Sequence, residues 1–237
     1  MDLRDRTGQY GKAMDIHNQV PHRTAREQTP AEELANAITH GIGLAVSVTC
    51  LSVAVVLAAS RHNTWAIVST SIYGTTLCLL YLSSTLYHSI RHPRAKRLWN
   101  VLDHSSIYLL IAGTYTPYTL GPLRTAGAWG WTLFGVVWGL AVAGVVFQAR
   151  YIHRWRILST MTYLLMGWIV LIAVYPLWRS IGGYGLMWIV AGGLCYTIGI
   201  AFYIARHIPF MHAVWHLFVL GGSVLHFLGV LFCVVLR

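Results

Sequence analysis

Residues 211–236 read MHAVWHLFVLGGSVLHFLGVLFCVVL, twenty-six positions without a Lys, Arg, Asp or Glu. A helix needs about 20 apolar residues to cross roughly 30 Å of hydrocarbon, so this stretch reads as a membrane span and makes lipid the solvent of the chain. Working back from it, apolar runs cover 36–59, 65–88, 100–120, 128–148, 157–177 and 184–205. Breakers separate them at His62-Asn63, Pro93, Gly121-Pro122, Gly182-Gly183 and Pro209. The expected fold is therefore all-α, a polytopic bundle of seven transmembrane helices over 36–237 behind a polar segment, 1–35. With 56% hydrophobic and 10% charged residues in a chain of 237, the composition lies outside that of soluble domains and leaves no room for a second one. The polar N-terminus has no apolar core of the signal-peptide kind, so the first span is expected to direct insertion itself.

Orientation follows from basic residues. Alternate loops place 13 of the 17 Lys and Arg on one side, leaving Arg61, Arg124, Arg179 and Arg237 on the other. Positive loops stay inside, so the N-terminus is expected to be cytoplasmic and the C-terminus outside, in a multi-pass protein of the cell membrane. An even number of spans would spoil this asymmetry. The net charge of +10 does not indicate nucleic acid, because the basic residues are dispersed among loops and form no patch interleaved with aromatics. Cys50, Cys78, Cys195 and Cys233 fall in apolar runs without a CxxC pair and read as buried thiols. Gly135-x3-Gly139, Gly192-Gly193 and Gly221-Gly222 read as close-packing points between helices. Pro117 is expected to kink the third span, with neighbours such as Thr114 meeting the lost backbone bond.

Six of the seven acidic residues precede residue 34, which makes Asp103 the only carboxylate within the expected spans. An ionisable group in lipid costs about 3 kcal/mol or more, so it needs a partner or a function. Candidate partners are His40, His88, His104, His212, His216 and His226. The second span ends at His88 while the third and seventh begin near Asp103 and His212, so all of these meet at the cytoplasmic end. His212 and His216, four residues apart, sit about 40° apart around a helix and roughly 6 Å apart along it, on one face. Ser84 and His88 share that spacing. His226 lies about 15 Å further along the helix by rise, too far to join, and reads as a satisfied contact between helices. His40 and His104 have the right depth and read as hydrogen-bonding or packing residues. Each HxxxH pair alone is weak, and His88 or Asp103 alone could pair with Lys96 or Arg97. Coincidence of depth across three helices favours a zinc site of His88, His212 and His216 with a fourth position open for water. Zinc lowers the pKa of bound water to about 7. Asp103 could then orient that water and take its proton, and Ser84 could donate a hydrogen bond to a developing oxyanion.

At these residues the sequence resembles the haemolysin III family, bacterial relatives of the progestin and adipoQ receptors within a group that includes the alkaline ceramidases. The matching pieces are Glu32-Glu33 with Asn36-Ala-Ile-Thr-His40-Gly, Ser84-Thr-Leu-Tyr-His88, Leu102-Asp103-His104, Leu110-Ile-Ala-Gly-Thr-Tyr-Thr-Pro117 and His212-Ala-Val-Trp-His216-Leu-Phe-Val. They extend from the first span to the last. The resemblance implies a seven-helix fold with Zn2+ on His88, His212 and His216, and with Ser84 and Asp103 near the metal. The N-terminal region is short and no tail follows the last span, which sets this sequence apart from the animal receptors and their soluble partners. The leading expectation is a zinc-dependent hydrolase, ceramidase-like, that cleaves an amide or ester of a membrane lipid. A receptor or membrane-state regulator with a structural zinc is the alternative from another class. A haemolysin-type pore ranks last, since a water-filled conduit calls for polar residues along one face of several spans, whereas here polarity gathers at one end.

Overall fold

The computed structural model describes residues 26–151 and 155–237. Among them the secondary structure is helical throughout, with no strand. The chain forms α1 (Pro30–Ser60), α2 (Thr64–Ser89), α3 (Pro93–Leu120), α4 (Trp129–Tyr151) and α5 (Arg156–Trp168). A 3-10 turn (Ile169–Ala173) then leads into α6 (Val174–Ile204), and α7 (Met211–Val230) ends in a π turn (Leu231–Val235). Most of the polar segment expected over 1–35, including residues 1–25, lies outside the described residues.

Local chemistry accounts for the helix starts. Thr29 caps α1 in a reciprocal capping box with Glu32, and Pro30 occupies the first turn. This starts α1 six residues before the expected span, so Glu32 and Glu33 lie inside the helix. Asn63 accepts from the Ala66 amide at 3.0 Å and begins α2. Pro93 opens α3. The connection expected between the fifth and sixth runs shrinks to one residue, Gly182, with φ 70° and ψ 179°, a backbone state that only glycine adopts without strain.

Among the described residues, five stretches are long and apolar enough to cross a membrane: Pro30–Ser60, Thr64–Ser89, Trp129–Tyr151, Ile157–Ile204 and Met211–Val235. α3 falls outside that set for a physical reason. Its first half carries Arg94, Lys96, Arg97 and Asp103, and its second half buries Tyr115, Thr116, Tyr118 and Thr119. It faces protein instead of lipid, so its polar groups find partners within the bundle. It packs between α2 and α4 and touches α5 and α7, while α1 pairs with α2 and α7, and α6 pairs with α7.

The interior combines a hydrophobic core with many buried polar side chains, and the outer surface carries large apolar residues. α1 turns Asn36, His40, Gly43 and Ser47 inward and leaves Leu34, Ile38, Ile42 and Val56 exposed. The 3-10 turn interrupts the α5–α6 ladder, and the Tyr115 hydroxyl repairs it from α3: it accepts from Val170 N at 2.8 Å and donates toward Gly167 O at 2.7 Å and Met166 O at 3.1 Å. Gly192 and Gly222 serve as close contacts, a Cβ at either falling 2.6 Å or less from a ring on the neighbouring helix. Gly135 and Gly139 do not: nothing lies within 4 Å of a Cβ built there, because that face of α4 points outward. The Thr114 hydroxyl bonds Leu110 O at 2.8 Å and so does not meet the carbonyl that Pro117 releases, which is that of Gly113. The four cysteines are free, with only Cys233 fully buried.

Candidate metal centre

Three helix ends converge where α1 begins. α2 delivers His88 from its last turn, and α7 delivers His212 and His216 from its first two turns. One nitrogen from each of these rings lies within 4.8 Å of the others, close enough to hold a metal ion. Ring centroids are 5.2 Å apart for His88–His212 and for His88–His216, and 4.6 Å apart for His212–His216. Sequence spacing and helix depth thus bring together the three histidines they singled out.

Hydrogen bonding fixes which nitrogen two of the three rings offer. An ionised carboxylate can only accept, so the 2.6 Å contact between His88 Nδ1 and Glu33 Oε2 requires the proton on Nδ1. The Thr39 hydroxyl donates to Ala35 O and Asn36 O at 3.0 and 2.9 Å, so it accepts from His216 Nδ1 at 3.2 Å. Both rings are thereby left with a lone pair on Nε2. His88 Nε2, His216 Nε2 and His212 Nδ1 are buried and have no hydrogen-bond partner. Three orphaned imidazole nitrogens turned toward one point fit a divalent cation, since otherwise each would be desolvated without compensation. Metal-bound histidines commonly hold a carboxylate or hydroxyl on the other ring nitrogen, which orients the ring and raises its basicity.

Glu33 was not singled out as a site residue in the sequence, where Asp103 stood as the only carboxylate at this depth. That expectation is corrected: Glu33 reaches the site from the first turn of α1 and also accepts from Lys96 Nζ at 2.8 Å. Lys96, a candidate partner for His88 or Asp103, instead pairs with Glu33. The signal was present in Thr29-Pro30-Ala-Glu32, a capping box with proline in the first turn, which would have started the helix early enough to include Glu33. Glu32 has a different task. Its carboxylate accepts the Phe210 amide at 2.9 Å and pairs with Arg26, tying the start of α1 to the residue before α7.

Asp103 is buried, 8% exposed, with His104 Nδ1 3.7 Å from its Oδ2 and with Ser84 and His88 as further neighbours. The Ser84 Oγ is buried and finds no partner in good hydrogen-bond geometry, the Asp103 carboxylate lying beside it. His104 meets the expected hydrogen-bonding role, its Nδ1 lying 3.0 Å from Asn100 O. His40 meets the expected packing role: it stacks on His216 at 3.5 Å with 13° between planes. Both His40 nitrogens are without a partner. A cavity of about 180 Å³ opens beside this cluster, bounded there by Asp103, His40 and His212 and lined beyond mostly by apolar and aromatic side chains of α3, α5, α6 and α7.

Comparison with known proteins places this architecture. The model of a family described as haemolysin-III related matches residues 28–227. The chain is 51% identical over 204 residues to a hemolysin-3 homolog of Bacillus subtilis (strain 168), covering 86% of this chain and 95% of the relative. It is 46% identical over 211 residues to hemolysin-3 of Bacillus cereus, covering 89% and 95%. A monocyte to macrophage differentiation factor of Homo sapiens is 26% identical over 225 residues, covering 91% and 90%. With several apolar helices able to cross a bilayer and a family match across most of its length, the chain is a multi-pass protein of the cell membrane and belongs to the haemolysin-III related family.

Proposed function

We propose that the protein is a zinc-dependent hydrolase of the membrane, cleaving an amide or ester bond of a lipid that enters from the bilayer. The observation that carries this reading is the set of three orphaned imidazole nitrogens beside a buried Asp103 at the mouth of an apolar cavity. Three neutral nitrogens without a thiolate suit zinc and leave a coordination position open, the pattern of catalytic sites. When bound, such an ion supplies a water that ionises near neutral pH and polarises a carbonyl oxygen.

The chain's own residues do the rest. Asp103 takes the proton of the attacking water as its oxygen bonds to the carbonyl carbon, then returns that proton to the departing amine or alcohol as the C–N or C–O bond breaks. Ser84, whose hydroxyl lies beside Asp103, donates to the carbonyl oxygen as charge develops there. Glu33 holds the His88 ring by its Nδ1–H, and Thr39 holds His216. The apolar cavity receives the chain of the lipid.

Seven spans with a cytoplasmic N-terminus, after a polar segment over 1–35, form the frame of this reading. The stretch Ile157–Ile204 has 48 residues and would be about 72 Å long as one rod, more than twice the hydrocarbon thickness. A reversal at Gly182 turns it into two spans, and α3 supplies the remaining one from the interior.

A structural zinc in a receptor or regulator is the second reading, favoured by the burial of His88 and His216, 5% and 0% exposed. The apolar cavity lining speaks for a lipid hydrolase over a water-filled pore. Elemental analysis coupled to lipid profiling of wild type and Asp103→Ala separates the readings. A hydrolase keeps most of its zinc in the variant while a lipid accumulates. Unchanged lipids with unchanged zinc support the structural reading, and wild-type protein without near-stoichiometric zinc overturns both.

A further inference from the structure

The cavity beside the metal centre extends well beyond it. Its wall follows α3 from Asp103 to Tyr118 and α7 from His212 to His226, so that its far end lies about 15 Å from His216 by helix rise. Two polar side chains bound it there, His226 and Tyr118, 7% and 5% exposed. His226 Nδ1 and the Tyr118 hydroxyl have no hydrogen-bond partner. The neighbouring tyrosines are satisfied: the Tyr81 and Tyr196 hydroxyls meet Ser223 Oγ at 2.8 and 2.9 Å, and Tyr73 donates to Ser223 O at 3.4 Å. Trp188, whose side chain also packs against Gly229, holds a further buried donor without a partner, Nε1, and does not line the cavity. The sequence made His226 a satisfied contact residue; it does make the contact, stacking on Tyr196, but its Nδ1 is left unpaired.

The pair is held in place from behind. A Cβ at Gly192 would fall 2.6 Å from His226 Nε2, and a Cβ at Gly229 would fall 2.6 Å from the Tyr118 hydroxyl. Gly229 follows His226 by three residues, roughly 4.5 Å along α7, and shares its side of the helix, so imidazole and phenol are seated within about one helical turn of each other. Two rigidly packed polar groups without partners, in a chamber lined mostly by apolar and aromatic side chains, carry an uncompensated desolvation cost unless something supplies the missing bonds.

We propose that His226 and Tyr118 form a polar subsite for a hydroxyl carried partway along the lipid chain, so that the preferred substrate has a hydroxylated acyl chain. A hydroxyl both donates and accepts, and can therefore satisfy an imidazole nitrogen and a phenol together, which a plain hydrocarbon cannot. This rests on the reading that the cavity holds the acyl chain of a lipid.

Fatty acids, the acid product of the proposed hydrolysis, are the probes. Purified metal-loaded protein is titrated with stearate and with stearate bearing one mid-chain hydroxyl, each displacing a fluorescent fatty acid. The hydroxylated acid is expected to bind about tenfold more tightly, the scale of one net hydrogen bond. Tyr118→Phe, which removes a single oxygen, and His226→Leu are each expected to cancel most of that preference while stearate affinity and metal content hold. Should His226→Leu fail to fold, the wild-type preference and Tyr118→Phe still decide. Equal wild-type affinities overturn the subsite and leave the hydrolase reading intact, an ordered water then being the partner of the two groups. If neither acid binds, the lipid reading of the cavity falls and the subsite with it. A hydroxyl preference in a protein that turns over no lipid supports the subsite and contradicts the hydrolase.

Discussion

His88 donates its Nδ1–H to Glu33 Oε2 in a 2.6 Å hydrogen bond that joins the last turn of α2 to the first turn of α1. The bond leaves Nε2 with a free lone pair and no hydrogen-bond partner, so a residue outside the three-histidine cluster decides how the ring presents itself. Lys96, 2.8 Å from the other oxygen of Glu33, keeps that carboxylate in place.

Glu33→Gln should therefore weaken metal binding without abolishing it. An amide neither orients the ring as strongly nor raises its basicity, and losses of this kind run about 10–100-fold. Competition with a chromophoric chelator measures the change. Unchanged affinity would mean that Glu33 merely packs against His88.

His40→Phe tests whether the fourth imidazole is a ligand. His40 stacks face to face on His216 at 3.5 Å, a contact that phenylalanine can keep. Zinc content should stay near one per chain in His40→Phe and fall close to zero in His216→Ala. Loss of metal in His40→Phe would bring His40 into the coordination sphere.

Metal removal should lower thermal stability, because the ligands come from α2 and α7 and the ion binds only where both are folded together. At about 100 times its dissociation constant a ligand adds roughly 2.7 kcal/mol. The unfolding midpoint in detergent should drop by several degrees on chelation and recover on adding zinc. His216→Ala should begin low and respond to neither treatment.

Tyr115→Phe should destabilise the fold by about 1–3 kcal/mol through loss of the hydroxyl that serves the backbone around Val170. Hydrogen exchange in nanodiscs should place the added mobility at the 3-10 turn and leave α1 and α2 unchanged. Uniform loosening would show that Tyr115 acts by packing.

The cluster of three histidines was legible because each part left a mark of its own: four-residue spacing for His212 and His216, a span end for His88, and a shared depth for all three. Asp103 was legible for the opposite reason, its isolation in an apolar sequence. Glu33 was hidden because hydropathy begins a span at its first apolar run, whereas the capping box begins the helix six residues earlier. Gly135-x3-Gly139 misled because spacing cannot say which side of a helix meets protein and which meets lipid. The polar character of α3 likewise comes from burial, a property of the assembled bundle that no single segment displays. His226 and Tyr118 lie more than a hundred positions apart, and only folding brings both to the wall of one cavity.

The central claim is that His88, His212 and His216 share one ion. Zinc K-edge absorption on the purified protein tests it most directly. The expected spectrum has three imidazole nitrogens at about 2.0–2.1 Å with one further light atom, and it should lose its imidazole signature in His212→Ala. Sulfur at about 2.3 Å, or a spectrum unaltered by His212→Ala, would contradict the account.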